Sequence, residues 1–168
     1  ARQQLFVVTD YGAKPVSYDN YAQMQDCSQA VQQALNAARQ AGGGIVYLPS
    51  GRYRMDGNIT IPAGVELKGS SDLTTIPRGQ GAIFEIYVGE GSADGTPFIT
   101  MEKNSGLRGI TIDYPVQDTP LNVRQFPYSV RGNEGVYIVN LGLRTACRGV
   151  DLFTNDCSNH YVDGLTGH

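Results

Sequence analysis

The side chains best suited to moving protons gather in the last third of the chain: Asp113, Asp151, Asp163 and His168. A carboxyl group and an imidazole can serve as acid and base, and a reaction that breaks a bond to oxygen needs a proton donor together with a base or nucleophile. Arg108, Tyr114, Arg144 and His160 lie among them. Guanidinium and imidazole groups hold carboxylates and hydroxyls, and an aromatic ring offers an apolar face on which a sugar can stack. The first four are the candidate catalytic residues and the second four the candidate substrate-binding residues.

Spacing connects them. Leu107-Arg108-Gly109-Ile110-Thr111-Ile112, Ile138-Val139-Asn140-Leu141-Gly142-Leu143 and Val162-Asp163-Gly164-Leu165-Thr166-Gly167 share one pattern of apolar positions. Ile110, Leu141 and Leu165 are 31 and 24 positions apart, as expected for successive coils of a solenoid. Stacked strands lie about 4.8 Å apart, so equivalent residues form columns. One outward column then holds Asp113, Arg144 and His168, and another Arg108, Val139 and Asp163. An acid with basic neighbours one strand away has a shifted pKa; ordinary cross-strand charge pairing is the plainer role for the same residues. Asp151, Asp156 and His160 fall in the turn after the second repeat strand, where a loop can carry function or simply turn the chain. Tyr114, Tyr128, Tyr137 and Tyr161 are candidates for stacking on sugar or for packing between coils. The segment from Tyr114 to Arg131 reads as a loop that interrupts the repeat. Lys68, Arg78 and Glu85 form no constellation.

The elements that must position these residues are mostly short strands. Gly44 to Leu48, Gly51 to Met55, Asn58 to Ile61, Gly64 to Lys68, Ala82 to Val88 and Phe98 to Glu102 are divided by Gly, Pro, Asn or Ser. Cys27, Ala30, Val31, Ala34, Leu35 and Ala38 recur at helical spacing and predict one amphipathic helix over 27–41, with Asp26 as its N-cap and Gly42-Gly43-Gly44 ending it. With 21 Gly, 10 Tyr, 8 Pro and no Trp, the composition suits strands and turns. The net charge of -3, with basic residues scattered singly, disfavours a nucleic-acid partner. No apolar run reaches the length of a membrane span. Cys27, Cys147 and Cys157 allow either a Cys147–Cys157 bridge or three buried thiols. No P-loop, zinc cluster or nucleophile elbow is present in the sequence.

Val8-Thr9-Asp10-Tyr11-Gly12-Ala13-Lys14, the Cys27 to Ala41 helix, and Gly42-Gly43-Gly44-Ile45-Val46-Tyr47-Leu48-Pro49-Ser50-Gly51-Arg52-Tyr53 resemble the N-terminal signature of pectate-lyase-superfamily β-helix proteins. Ile59-Thr60-Ile61-Pro62-Ala63-Gly64-Val65-Glu66-Leu67-Lys68-Gly69 continues that resemblance. Polygalacturonase-like hydrolases, mannuronan epimerases, laminarin-type exoglucanases and phage tailspikes are similar here. The loop from Pro15 to Asp26 departs from the usual acidic, glycine-containing stretch. The polygalacturonase Asn-x-Asp, Asp-Asp, Gly-His-Gly and Arg-x-Lys motifs are missing, as is the epimerase Asp-Pro-His-Glu, to which Gly149–Asn155 corresponds only in position.

The resemblance implies an all-β fold: a right-handed single-stranded parallel β-helix of pectate-lyase-like type with one N-terminal capping α-helix. Residues 1–168 are expected to form the N-terminal portion of a single β-helix domain of a longer chain, inactive alone. The implied function is that of a secreted or cell-surface, polysaccharide-degrading glycoside hydrolase. The alternatives are a lyase or epimerase acting on uronic-acid glycans, and a non-catalytic adhesin or tailspike module. A polysaccharide is the expected partner and no cofactor is called for, with Ca2+ entering only for a lyase.

Overall fold

The computed structural model describes residues 4–17, 24–70, 81–117 and 124–167. Among them α1 (Ser28–Gln40) is the only α-helix, and twelve strands follow or precede it: β1 (Leu5–Val7), β2 (Gly44–Leu48), β3 (Gly51–Met55), β4 (Ile59–Ile61), β5 (Val65–Gly69), β6 (Ala82–Ile86), β7 (Ile99–Met101), β8 (Gly106–Asp113), β9 (Tyr128–Arg131), β10 (Tyr137–Arg144), β11 (Arg148–Asp151) and β12 (Tyr161–Gly167). Every pairing between named strands is parallel. The chain therefore winds as stacked coils, the arrangement of a parallel β-helix.

Each coil has three sides. β1, β2 and β5 stack with the first halves of β8, β10 and β12; β3 and β6 stack with the second halves of β8 and β10; β4, β7, β9 and β11 form a separate sheet. In the first coil Pro49-Ser50 separates β2 from β3. From the third coil onward both sides are made by one long strand, broken only by a residue in the left-handed region: Gly109 (φ 69), Asn140 (φ 54) or Gly164 (φ 70). These three stack in register, because Ile110 pairs with Leu141 and Leu141 with Leu165. A stack of left-handed residues bends every long strand at the same height. The first and second sides thus meet at a corner, and outward columns before and after it occupy different faces.

The repeat register predicted from sequence holds: Leu107, Ile138 and Val162 pair in series, as do Arg108, Val139 and Asp163, and Asp113 pairs with Arg144. Inward positions make apolar ladders such as Val46–Leu67–Leu107–Ile138 and Phe84–Ile112–Leu143. Burying each such side chain contributes about 1.5–3 kcal/mol. Tyr53, Phe84 and Phe98 carry edge-to-face contacts across the interior, with ring centroids 6.1 and 5.5 Å apart.

The helix caps the first coil. Val31, Ala34, Leu35 and Ala38 are buried, and α1 packs against β1, β2, β4 and β5. Gln32 completes the edge of β4: its Nε2 donates to the Thr60 carbonyl (3.0 Å) and its Oε1 accepts from the Thr60 N–H (2.8 Å). A side-chain amide here replaces the strand that an exposed sheet edge would otherwise recruit. Asp26 lies one residue outside the N-cap position, held by Cys27. Its Oδ1 accepts from the Ser28 N–H (3.0 Å), the Ser28 hydroxyl (2.6 Å) and the Asp56 N–H (3.0 Å). It ties the helix start to the turn after β3 instead of capping the helix alone.

Two further expectations change. The supposed loop from Tyr114 to Arg131 ends in a strand, β9, and the turn after β10 contains another, β11. Both belong to the third side, whose strands of three or four residues are too short to show alternation in sequence. All three cysteines are free thiols; Cys27 and Cys157 are buried and Cys147 is exposed.

Candidate functional site

The predicted catalytic residues do not converge. Asp113 ends β8 on the second side, Asp151 ends β11 on the third, and Asp163 lies in the first half of β12 on the first side. His168 lies outside the described residues. The corner at Gly109, Asn140 and Gly164 separates two columns that the repeat alone placed on one face.

Asp151 is committed to structure. Its residue is 3% exposed. Oδ1 accepts from the N–H groups of Phe153 (2.9 Å) and Thr154 (3.1 Å), while Oδ2 accepts from Arg131 Nε (2.7 Å) and the Thr154 hydroxyl (2.5 Å). Burial opposes ionisation, yet these donors outweigh it and hold the carboxyl well below the ordinary aspartate range. Four donors leave no lone pair for a substrate. Asp163 is exposed, with the Tyr161 hydroxyl 3.4 Å from its Oδ2.

Tyr114 is core. It is 1% exposed, its ring packs 4.8 Å from that of Phe126, and its hydroxyl lies 2.6 Å from Ser129 Oγ. Burial pushes its pKa up to about 12. It cannot stack on a sugar. His160 is exposed in the turn before β12, where its Nδ1 lies 2.5 Å from the Cys157 carbonyl oxygen and so carries the proton. Arg108 is on the first side, donating from Nε to Glu66 Oε1 at 2.9 Å.

Asp113 stands in a different setting. The register stacks Arg54, Glu85, Asp113 and Arg144 in one outward column through four coils. Beside it, Ile83 and Thr111 also point outward by register, yet each is only 3% exposed, and Glu85 only 7%. Outward residues with so little exposure are covered by neighbouring parts of the chain, and Asp113, only partly buried, stands at the margin of this covered patch. Arg52 Nη1 pairs with Glu85 Oε1 at 3.0 Å. Arg54 pairs with Asp56 at 2.9 Å and lies 4.4 Å from the Tyr87 ring centroid. Burial raises the Asp113 pKa above the ordinary value; the Arg144 charge opposes this and the Glu85 charge adds to it. The hydroxyl of Thr145 approaches Asp113 Oδ1 at 3.4 Å. Asp113 is thus a carboxyl group with few donors, a neighbouring acid and a neighbouring cation.

Glu85 was read from the sequence as part of no constellation, and Arg54 had no part in that reading. A signal for them existed, since Arg54, Glu85 and Asp113 follow one another at 31 and 28 positions, close to the later repeat. The intervening segments hid it. Among the described residues no group of three His, Cys, Asp or Glu side chains gathers to hold a metal, and no step is assigned to one.

The stacked parallel coils, the helical cap and the bent long strands define a pectate-lyase-like β-helix. The chain belongs to the family described as rhamnogalacturonase A/epimerase, pectate lyase-like, whose model matches residues 5–164. It is 34% identical over 103 residues to mannuronan C5-epimerase AlgE6 of Azotobacter vinelandii, a match covering 54% of this chain and 11% of that protein. It is 48% identical over 50 residues to alginate lyase 7 of the same organism, covering 30% of this chain and 5% of that one. The solved A-module of AlgE6 superposes with a TM-score of 0.64 at 24% identity, covering 87% of this chain and 39% of the module's chain. The chain matches well under two thirds of the length of these relatives.

Proposed function

We propose that the chain contributes to a protein of the cell exterior that acts on uronic-acid glycans by removing the proton at C5, in the manner of an epimerase or lyase. The carrying observation is the outward Glu85–Asp113–Arg144 column. The similarity to a mannuronan C5-epimerase and an alginate lyase supports this substrate class. A uronate C5–H becomes acidic when a cation neutralises the adjacent carboxylate, and Arg144 stands beside Asp113 to do so. Asp113, with its raised pKa, takes the proton. The electron pair left at C5 is held in the neutralised carboxylate. It is then reprotonated from the opposite face by water, which inverts C5 and leaves a hydroxide that recovers the proton from Asp113, or it forms the C4–C5 double bond and expels the O4-linked sugar, whose oxygen takes that proton.

Hydrolysis, the preferred reading from sequence, gains less support. It needs a second carboxyl group beside the acid, and the neighbour available, Glu85, is buried and paired with Arg52. The test is incubation of the whole protein that carries this chain with polymannuronate in deuterated water. Deuterium at C5 marks epimerisation and unsaturated ends mark elimination, and one or the other is expected. Release of reducing ends with neither deuterium nor unsaturation would establish hydrolysis instead, and binding without turnover would establish an adhesin.

A further inference from the structure

The first side of the coil, around the corner from the Asp113 column, carries a built aromatic surface with no part in the chemistry above. Tyr137 begins β10 in register with Gly106 below and Tyr161 above. A Cβ at Gly106 would stand 2.1 Å from the Tyr137 ring carbon Cζ. The ring therefore lies across the glycine backbone of the coil beneath, and only glycine leaves the room. Its hydroxyl reaches Glu66 one coil further down; burial and the Glu66 charge, with that hydrogen bond, push the phenol up to about 12. Glu66 is itself held by Arg108 Nε at 2.9 Å, and the Arg108 guanidinium lies 5.9 Å from the Tyr137 ring centroid. One ring is thereby fixed at its edge, its hydroxyl and its flank. Tyr161, one strand spacing away, is 58% exposed.

Arg108 borders this ring. Lys68 and Arg108 are adjacent in register, about 4.8 Å apart along the stack. Arg108 uses only Nε in protein hydrogen bonding, and the Lys68 ammonium has no acidic partner among the described residues. Adjacent cations repel, and the arrangement gains most from an anion placed between the lysine and the Arg108 Nη groups. A fixed aromatic face next to such a pair matches a sugar ring bearing a carboxylate: the ring stacks and the carboxylate takes both cations.

We infer that Lys68, Arg108, Tyr137 and Tyr161 form a second glycan subsite, specific for a uronate residue and separate from the Asp113 column. Arg108 and Asp113 are five residues apart on β8, about 16 Å along the strand, with the corner between them. The subsite holds a neighbouring stretch of polysaccharide and does no chemistry. It rests on the reading that the substrate is a uronic-acid glycan.

The test compares binding of a mannuronate oligosaccharide and a neutral mannan oligosaccharide, by calorimetry, to the wild-type chain, K68Q and Y161A. Lys68 is half-buried and Tyr161 is 58% exposed, so the melting temperatures of both variants should stay close to the wild-type value. Each is expected to weaken mannuronate binding by about ten-fold, the equivalent of one charge-assisted contact or stacked ring. Preference for mannuronate over mannan should collapse in K68Q. Unchanged mannuronate affinity in K68Q and Y161A would overturn the subsite and leave the reading of the Asp113 column standing. A wild-type chain that binds no mannuronate would overturn both. Affinity lost only together with thermal stability would show that these residues merely hold the coils together.

Discussion

Asp113 and Asp151 each end a strand and each have an arginine beside them, yet the second and third sides of the coil use them in opposite ways. On the third side, Arg131, Thr154 and two backbone N–H groups saturate Asp151 inside the packed turn. On the second side, Asp113 is partly buried, with burial and Glu85 working against its charge and only Arg144 and weak donors working for it. An arginine neighbour therefore does not mark a catalytic acid. The number of donors committed to the carboxyl does: a saturated carboxylate stabilises the fold, and an under-supplied one keeps its basicity for a substrate.

The contrast breaks most visibly through substitution. D113N should lower turnover of polymannuronate by about a hundred-fold or more, the scale of losing an acid–base group, with wild-type secondary structure by circular dichroism. D151A should do the reverse. It leaves Arg131 without its partner and two N–H groups without acceptors, and is expected to cost about 3 kcal/mol of stability in denaturant unfolding. Any loss of turnover in D151A should follow the folded fraction.

The pH dependence of stability sharpens the same difference. Asp151, whose folded pKa is depressed, contributes stability present above the unfolded aspartate pKa of about 3.9 and lost as pH falls toward the folded value. Asp113, whose folded pKa is raised, has the opposite sign. Its ionisation in the fold is unfavourable, so stability falls as pH climbs through the unfolded value toward the folded one. At neutral pH, D113N should therefore unfold no more easily than the wild type, and any gain should vanish below about pH 3.9. A chemical denaturation series across acidic pH checks both signs. The smallest effect expected is that of Y114F. The Tyr114 hydroxyl joins the end of the second side to Ser129 on the third, and its loss should cost about 1 kcal/mol, with turnover unchanged.

The coil register and the cap were legible because both rest on periodicity. Ile110, Leu141 and Leu165 repeat as ladder positions, and Val31, Leu35 and Ala38 as a helix stripe. The corner was not, since a glycine or asparagine inside an apolar strand, such as Gly109 or Asn140, gives no sign of its left-handed backbone until its neighbours in the stack are known. Without it, Asp163 and Asp113 read as parts of one surface. Asp151 read as a projecting loop residue because β11 has four residues and includes Gly149, too little pattern to reveal a strand. Tyr114 read as a sugar platform because burial of an aromatic after a strand depends on Phe126 and Ser129, brought to it from the next side of the coil.

Residue-resolved carboxyl titration by carbon-13 nuclear magnetic resonance, following the Asp113 and Asp151 side chains of the 168-residue chain from neutral to acidic pH, tests the distinction without any substrate. Asp113 should take up its proton at a higher pH than a free aspartate, and Asp151 should remain ionised well below that point. An Asp113 midpoint at or below the free aspartate value, or an Asp151 that titrates with it, would contradict the assignment of acid–base work to the second side and structural work to the third.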